Sequence, residues 1–121
     1  MQAIKFAIVL LGGDREGWNK MNYEKLSLKG WCDFCHRIAK EKGFWEKDRN
    51  IGEALMLIVT ELAEAMEAHR HQDDGNFREE LADTFIRLFD LCGGLGIDIQ
   101  AEIIKKSEKN KLRPYKHGKI C

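Results

Sequence analysis

The sequence predicts an all-α fold, a four-helix antiparallel bundle. Three observations carry that expectation. Only one proline, Pro114, stands among the 121 residues, so long helical runs go unbroken. Charged residues make up 33% of the chain, above the usual quarter, which suits helices with one wet face. From Ser27 onward, apolar residues recur at threes and fours in four runs separated by short stretches. Short connections favour antiparallel neighbours.

The first helix carries Leu28, Trp31, Cys35, Ile38 and Ala39 on one face, with Ser27 as N-cap. Gly43 stops it, and residues 44–49 form a connection containing Phe44 and Trp45. The second helix starts at Asn50, with Glu53 placed for a capping box. Its apolar stripe reads Ile51, Leu55, Ile58, Leu62, Ala65 and Met66, and it fades near His69–His71. A polar turn, residues 72–75, leads to a third helix expected to start at Asn76 with Glu79 as its box partner. That helix presents Phe77, Leu81, Phe85, Leu88 and Cys92, and Gly93, Gly94 and Gly96 are read as ending it. Asp98 caps a fourth helix carrying Ile99, Ile103 and Ile104, which must end before Pro114.

Residues 1–20 read as an N-terminal extension and 21–121 as a single domain. The extension holds the longest apolar run, Ala3 to Leu11, interrupted by Lys5. It is too short for a membrane helix and lacks a signal peptide's basic front and cleavage site. The expected location is cytoplasmic, with no membrane partner. Basic and acidic residues balance at 20 each, so no excess charge is available for a nucleic-acid backbone. Four cysteines in a chain able to bury a core are read as reduced.

The chemistry concentrates in carboxylates. Glu61 lies about 60° from Ile58 on an ideal helix, at the edge of the apolar stripe, and Glu64 is its neighbour three residues on. Glu80 and Asp83 repeat the spacing on the third helix. If the two stripes face each other, four carboxylates converge, and their repulsion calls for a cation. A carboxylate set without paired histidine or cysteine selects a hard ion, Mg²⁺ or Mn²⁺. Taken alone, each pair reads first as a solvated helix face; that both pairs hug apolar stripes is what turns the reading toward a site. Arg87 shares the Glu80–Asp83 stripe and reads first as an ion-pair partner of Asp83, second as a phosphate contact. Lys106, Asn110 and Arg113 share one face of the fourth helix and suit phosphate oxygens.

The stretches Glu61-Leu-Ala-Glu64 and Glu80-Leu-Ala-Asp83 resemble the paired ExxE and ExxD signature of the MazG-like, all-α nucleoside triphosphate pyrophosphohydrolases. Lys106, Asn110 and Arg113 match that family's K-x-x-x-N-x-x-R tail. His36 and Trp45 match base-contacting residues of the related dCTP pyrophosphatases. The resemblance spans about Ser27 to Gly118; one departure is Thr60, where relatives often carry a further acid. The resemblance implies hydrolysis of a nucleoside triphosphate to the monophosphate and pyrophosphate. It makes Glu61, Glu64, Glu80 and Asp83 the catalytic and Mg²⁺-binding set. It also implies substrate contacts from His36, Trp45, Lys106, Asn110 and Arg113, to which Arg87 is added from its place on the carboxylate stripe. The expected assembly is a homodimer or tetramer joined through helix faces. The nearest enzyme alternative is a phosphoribosyl-ATP pyrophosphohydrolase.

One motif pulls elsewhere. Cys32-Asp-Phe-Cys35-His36 is a C-x-x-C-H string, the attachment pattern of c-type haem. A helical cytochrome is therefore a competing function, and a non-catalytic helical dimerisation module a third. The haem reading leaves the carboxylates and the basic tail unexplained. Packing cysteines are the simpler account of the string.

Overall fold

The computed structural model describes residues 21–120. The N-terminal extension, with its apolar run, and Cys121 fall outside the described residues. Four long helices follow a short 3₁₀ turn at Tyr23–Lys25: α1 (Leu28–Glu41), α2 (Ile51–Arg70), α3 (Asp74–Leu95) and α4 (Ile99–Lys111). There is no strand among the described residues. No helix among them is long and apolar enough to cross a membrane.

The caps explain where three helices begin as expected. Ser27 accepts from the Gly30 N–H, Asn50 from the Glu53 N–H and Asp98 from the Ala101 N–H. The start of α3 differs from expectation. Asp73, not Asn76, is the N-cap and accepts from the Asn76 N–H, so the helix begins three residues earlier. Its end differs too. The chain stays helical through Gly93 and Gly94 to Leu95, and only Gly96, with φ +66°, stops it in the left-handed conformation that glycine adopts without strain.

Gly93 and Gly94 are there for close approach. A Cβ on Gly93 would stand 2.6 Å from the Cys32 carbonyl oxygen, and one on Gly94 would strike the Trp45 ring at 2.3 Å. The two glycines let α1 and the connection after it sit directly on α3. α3 is the shared partner of the fold, with α1 and α2 both packed against it, each antiparallel. α4 has its principal contact with α1, and none of its residues is buried. The packing is thus more open than that of a closed four-helix bundle.

The stripes that face inward only partly match those the apolar periodicity indicated: Ala65 and Cys92 are buried, and Ile58, Phe77, Leu81 and Leu88 are half-buried. On α2 the buried positions are Ala54, Glu61, Ala65 and Ala68, while Ile51, Leu55, Leu62 and Met66 are exposed. On α3 the buried positions are Glu80, Asp83, Arg87, Asp90, Leu91 and Cys92, and Phe85 is 56% exposed. Buried alanines of α2 accompany the Glu61–Arg87 ion pair on its α3-facing side, while Leu55, Leu62 and Met66 point outward.

Gly93→Ala should lose about 1–3 kcal/mol of stability in urea unfolding, because the new methyl meets backbone that cannot give way. Gly75→Ala, also helical but with only Asp73 Oδ1 near its Cβ position, should gain up to about 1 kcal/mol. Equal effects at both glycines would contradict the close approach of α1 to α3.

Candidate metal centre

The inner stripe of α3 is a run of charges at three- and four-residue intervals: Glu80, Asp83, Arg87 and Asp90. Facing it, α2 contributes Glu61, only 1% exposed and the most buried large side chain among the described residues. A charge can be held there only if it is paired and hydrogen-bonded. The Arg87 Nε donates to Glu61 Oε1 at 2.7 Å, joining the two helices. Arg87 therefore reaches across to α2, beyond the intrahelical role expected from its spacing. Burial works to raise the Glu61 pKa; hydrogen bonds with Arg87 and Glu80 outweigh it and hold the carboxyl below its ordinary value.

Glu61, Glu64 and Glu80 each offer an oxygen, and these three oxygens lie within 4.8 Å of one another. That set takes in one turn of α2 and the facing residue of α3. Opposite oxygens of an octahedral Mg²⁺ stand roughly 4 Å apart, so small side-chain movements would close the group around such an ion. The donors are all carboxylate oxygens, which fit a hard cation and carry no preference for a soft one. Asp83 is buried one turn along the same stripe but does not belong to the group of three.

A second polar node lies about two turns beyond Asp83 along α3. Asp90 is 6% exposed and collects three donors. Trp45 Nε1 donates to its Oδ1 at 2.8 Å, His36 Nδ1 lies 3.0 Å from the same oxygen, and Arg49 donates to Oδ2 at 3.0 Å. The Arg49 guanidinium also sits over the Trp45 ring, 4.9 Å from its centroid, and the His36 ring meets that indole edge-on at 4.8 Å. His36 and Trp45 are thus brought together, as their spacing suggested, but around a carboxylate that sequence reasoning missed. Arg49 was missed with it. The signal for Asp90 was present: it extends the Glu80–Asp83–Arg87 spacing by one more step of three.

An open apolar cavity of about 80 Å³ runs between α1 and α3, walled by Phe34, Phe44 and Ile86, with Arg49, Arg87 and Asp90 at its polar side. It shares Arg87 with the carboxylate cluster. His36 and Trp45 do not line it; they adjoin it through Asp90 and, for Trp45, through Arg49. Lys106 and Arg113 are exposed on and just after α4, and Asn110 is half-buried with its Oδ1 enclosed and without a hydrogen-bond partner among the described residues. The carboxylates stand between α2 and α3, whereas α4 rests chiefly on α1.

The C-x-x-C-H string falls inside α1. Cys32 and Cys35 are buried in its interface with α3, and Cys92 is buried opposite. Burial first, then the Asp90 charge, pushes the Cys35 thiol up to about 12. No family model matches this chain, and neither a curated protein nor a solved structure matches it significantly.

Two outcomes follow from these environments. Arg87→Met should cost about 3–5 kcal/mol, because it strips a buried carboxylate of its cation, and adding Glu61→Gln should recover part of the loss. The lowered Glu61 pKa contributes stability that is present above the ordinary carboxylate pKa and lost as the pH falls through the lowered value. Arg87→Met should therefore flatten the acid side of a stability–pH curve. On the alkaline side, the unfolded Cys35 thiol ionises near pH ~8.5 while the folded one resists until about 12. Stability should fall over that window as pH rises, and Cys35→Ala should make the fall shallower.

Proposed function

We propose that this protein is a Mg²⁺-dependent nucleoside triphosphate pyrophosphohydrolase, working on (d)NTPs as a nucleotide-pool house-cleaning enzyme and acting as a homo-oligomer. The observation that carries the reading is the Glu61, Glu64 and Glu80 cluster, three carboxylate oxygens within 4.8 Å on two helices whose spacing matches a paired ExxE and ExxD signature. Glu61, Glu64, Glu80 and Asp83 hold the metal, with Mn²⁺ as a possible substitute. A divalent cation there supplies neutralisation of triphosphate charge and polarisation of the attacked phosphorus. A carboxylate of the same set takes the proton from the attacking water. Arg87, bonded to Glu61 and lining the α1–α3 cavity, is assigned in this reading to a phosphate oxygen. Lys106, Asn110 and Arg113 of the C-terminal segment hold further phosphate oxygens, and His36 and Trp45 serve the base end.

Support for the oligomer comes from the outward apolar side chains. Leu55, Val59, Leu62 and Met66 follow a 4-3-4 spacing along α2, each about half exposed, with Phe85 of α3 also uncovered. A seam of that spacing fits the facing helix of a second copy. The predicted location is the cytoplasm.

A panel of NTPs and dNTPs incubated with Mg²⁺, read for pyrophosphate against orthophosphate, tests the activity. Glu61→Gln, Glu64→Gln, Glu80→Gln and Asp83→Asn should each lower kcat by about a hundredfold or more. Orthophosphate as the sole product, or near-native turnover in all four variants, would refute the reading. Leu62→Asp with Met66→Asp should shift the sedimentation coefficient of the protein toward that of the monomer.

A further inference from the structure

We propose that Asp90 is a positioning residue for nucleotide recognition, fixing the imidazole of His36 in one tautomer and Arg49 in one place at the wall of the α1–α3 cavity. The proposal rests on the pyrophosphohydrolase reading of the same site. Its basis is the convergence of three side chains on one buried carboxylate. Asp90 accepts from Trp45 and Arg49 and lies 3.0 Å from His36 Nδ1. A carboxylate facing Nδ1 selects the tautomer with its proton on Nδ1, which leaves Nε2 with a lone pair directed away from Asp90. His36 keeps 18% of its side chain exposed, so the ring is not wholly closed off from solvent.

The node is more than a packing plug because of where it stands. Asp90 and Arg49 both line the cavity, and Arg87, which lines it too, is bonded to Glu61 of the carboxylate cluster. A ligand with its phosphates at the carboxylates therefore meets a wall whose polar groups Asp90 has already oriented. Each oxygen of Asp90 has its own work: Oδ1 holds the indole and the imidazole, and Oδ2 holds the guanidinium. Groups fixed before binding need no ordering when the ligand arrives, and discrimination between bases depends on that fixity.

Asp90→Asn keeps the shape and removes the charge. Nitrogen-15 correlation spectra of the full chain report the His36 tautomer directly. The parent should show the proton on Nδ1, and Asp90→Asn should show a mixture of tautomers. In steady-state assays over the nucleotide panel, Asp90→Asn should raise KM tenfold or more for the preferred nucleotide and narrow the ranking among bases, with kcat changed less than threefold. In a His36→Ala background, Asp90→Asn should raise KM much less, since part of what it positions is gone. His36→Ala itself leaves Asp90 bonded to Trp45 and Arg49, so it keeps the test alive should Asp90→Asn not fold. It should raise KM and narrow the ranking by itself.

A parent His36 protonated on Nε2 would overturn the proposal. So would KM values and base ranking unchanged in both variants while Tm falls, which marks the node as structural. Turnover of no nucleotide by the parent defeats the function and this role together. Turnover with a KM indifferent to Asp90 defeats the role alone.

Discussion

Burying Glu80, Asp83, Arg87 and Asp90 along one stripe of α3 obliges everything packed on that helix to answer to charge. Removing such groups from water costs several kcal/mol each unless they are paired. α2 answers with Glu61, which receives the Arg87 guanidinium. α1 and the connection after it answer with His36, Trp45 and Arg49, all directed at Asp90. The glycines of α3 serve the same end, since any side chain at Gly93 or Gly94 would hold α1 and Trp45 away. The fold is in this sense assembled around compensated charge more than around an apolar core, whose buried members are mostly alanines and cysteines.

That construction explains two features that would otherwise conflict. The large apolar side chains of α2 lie outward, where a second copy is proposed to cover them, and the acids lie inward, where a metal is proposed to bind. A monomer optimised for its own stability would exchange the two faces. Glu61 receives the Arg87 guanidinium, and Arg87 stands one turn before Asp90 on the same helix.

The two nodes differ in surroundings. The carboxylates are gathered between α2 and α3, and the Asp90 node stands beside the apolar cavity between α1 and α3. Arg87 touches both surroundings, bonded to Glu61 and lining the cavity.

The sequence by itself determined the helices and most of their limits. Ser27, Asn50 and Asp98 cap as their residue types require, because capping is settled by atoms three residues apart. It also marked Glu61 with Glu64, and Glu80 with Asp83, as neighbours, since helical spacing places residues three apart on one side; that Glu80 meets the α2 pair was decided by packing. The carry-through of α3 past Gly93 and Gly94 was not legible, because those glycines are explained by Cys32 and Trp45, far away in the chain. Nor was the choice of face. Periodicity separates an apolar stripe from a polar one, but the inward one depends on partners across the interface. Arg87 could read as the mate of Asp83 until α2 placed Glu61 against it, and Asp90 had no visible role until three donors from the α1 side met it. Those pairings are made between residues 26 to 54 positions apart, and only the tertiary structure brings them within hydrogen-bonding distance.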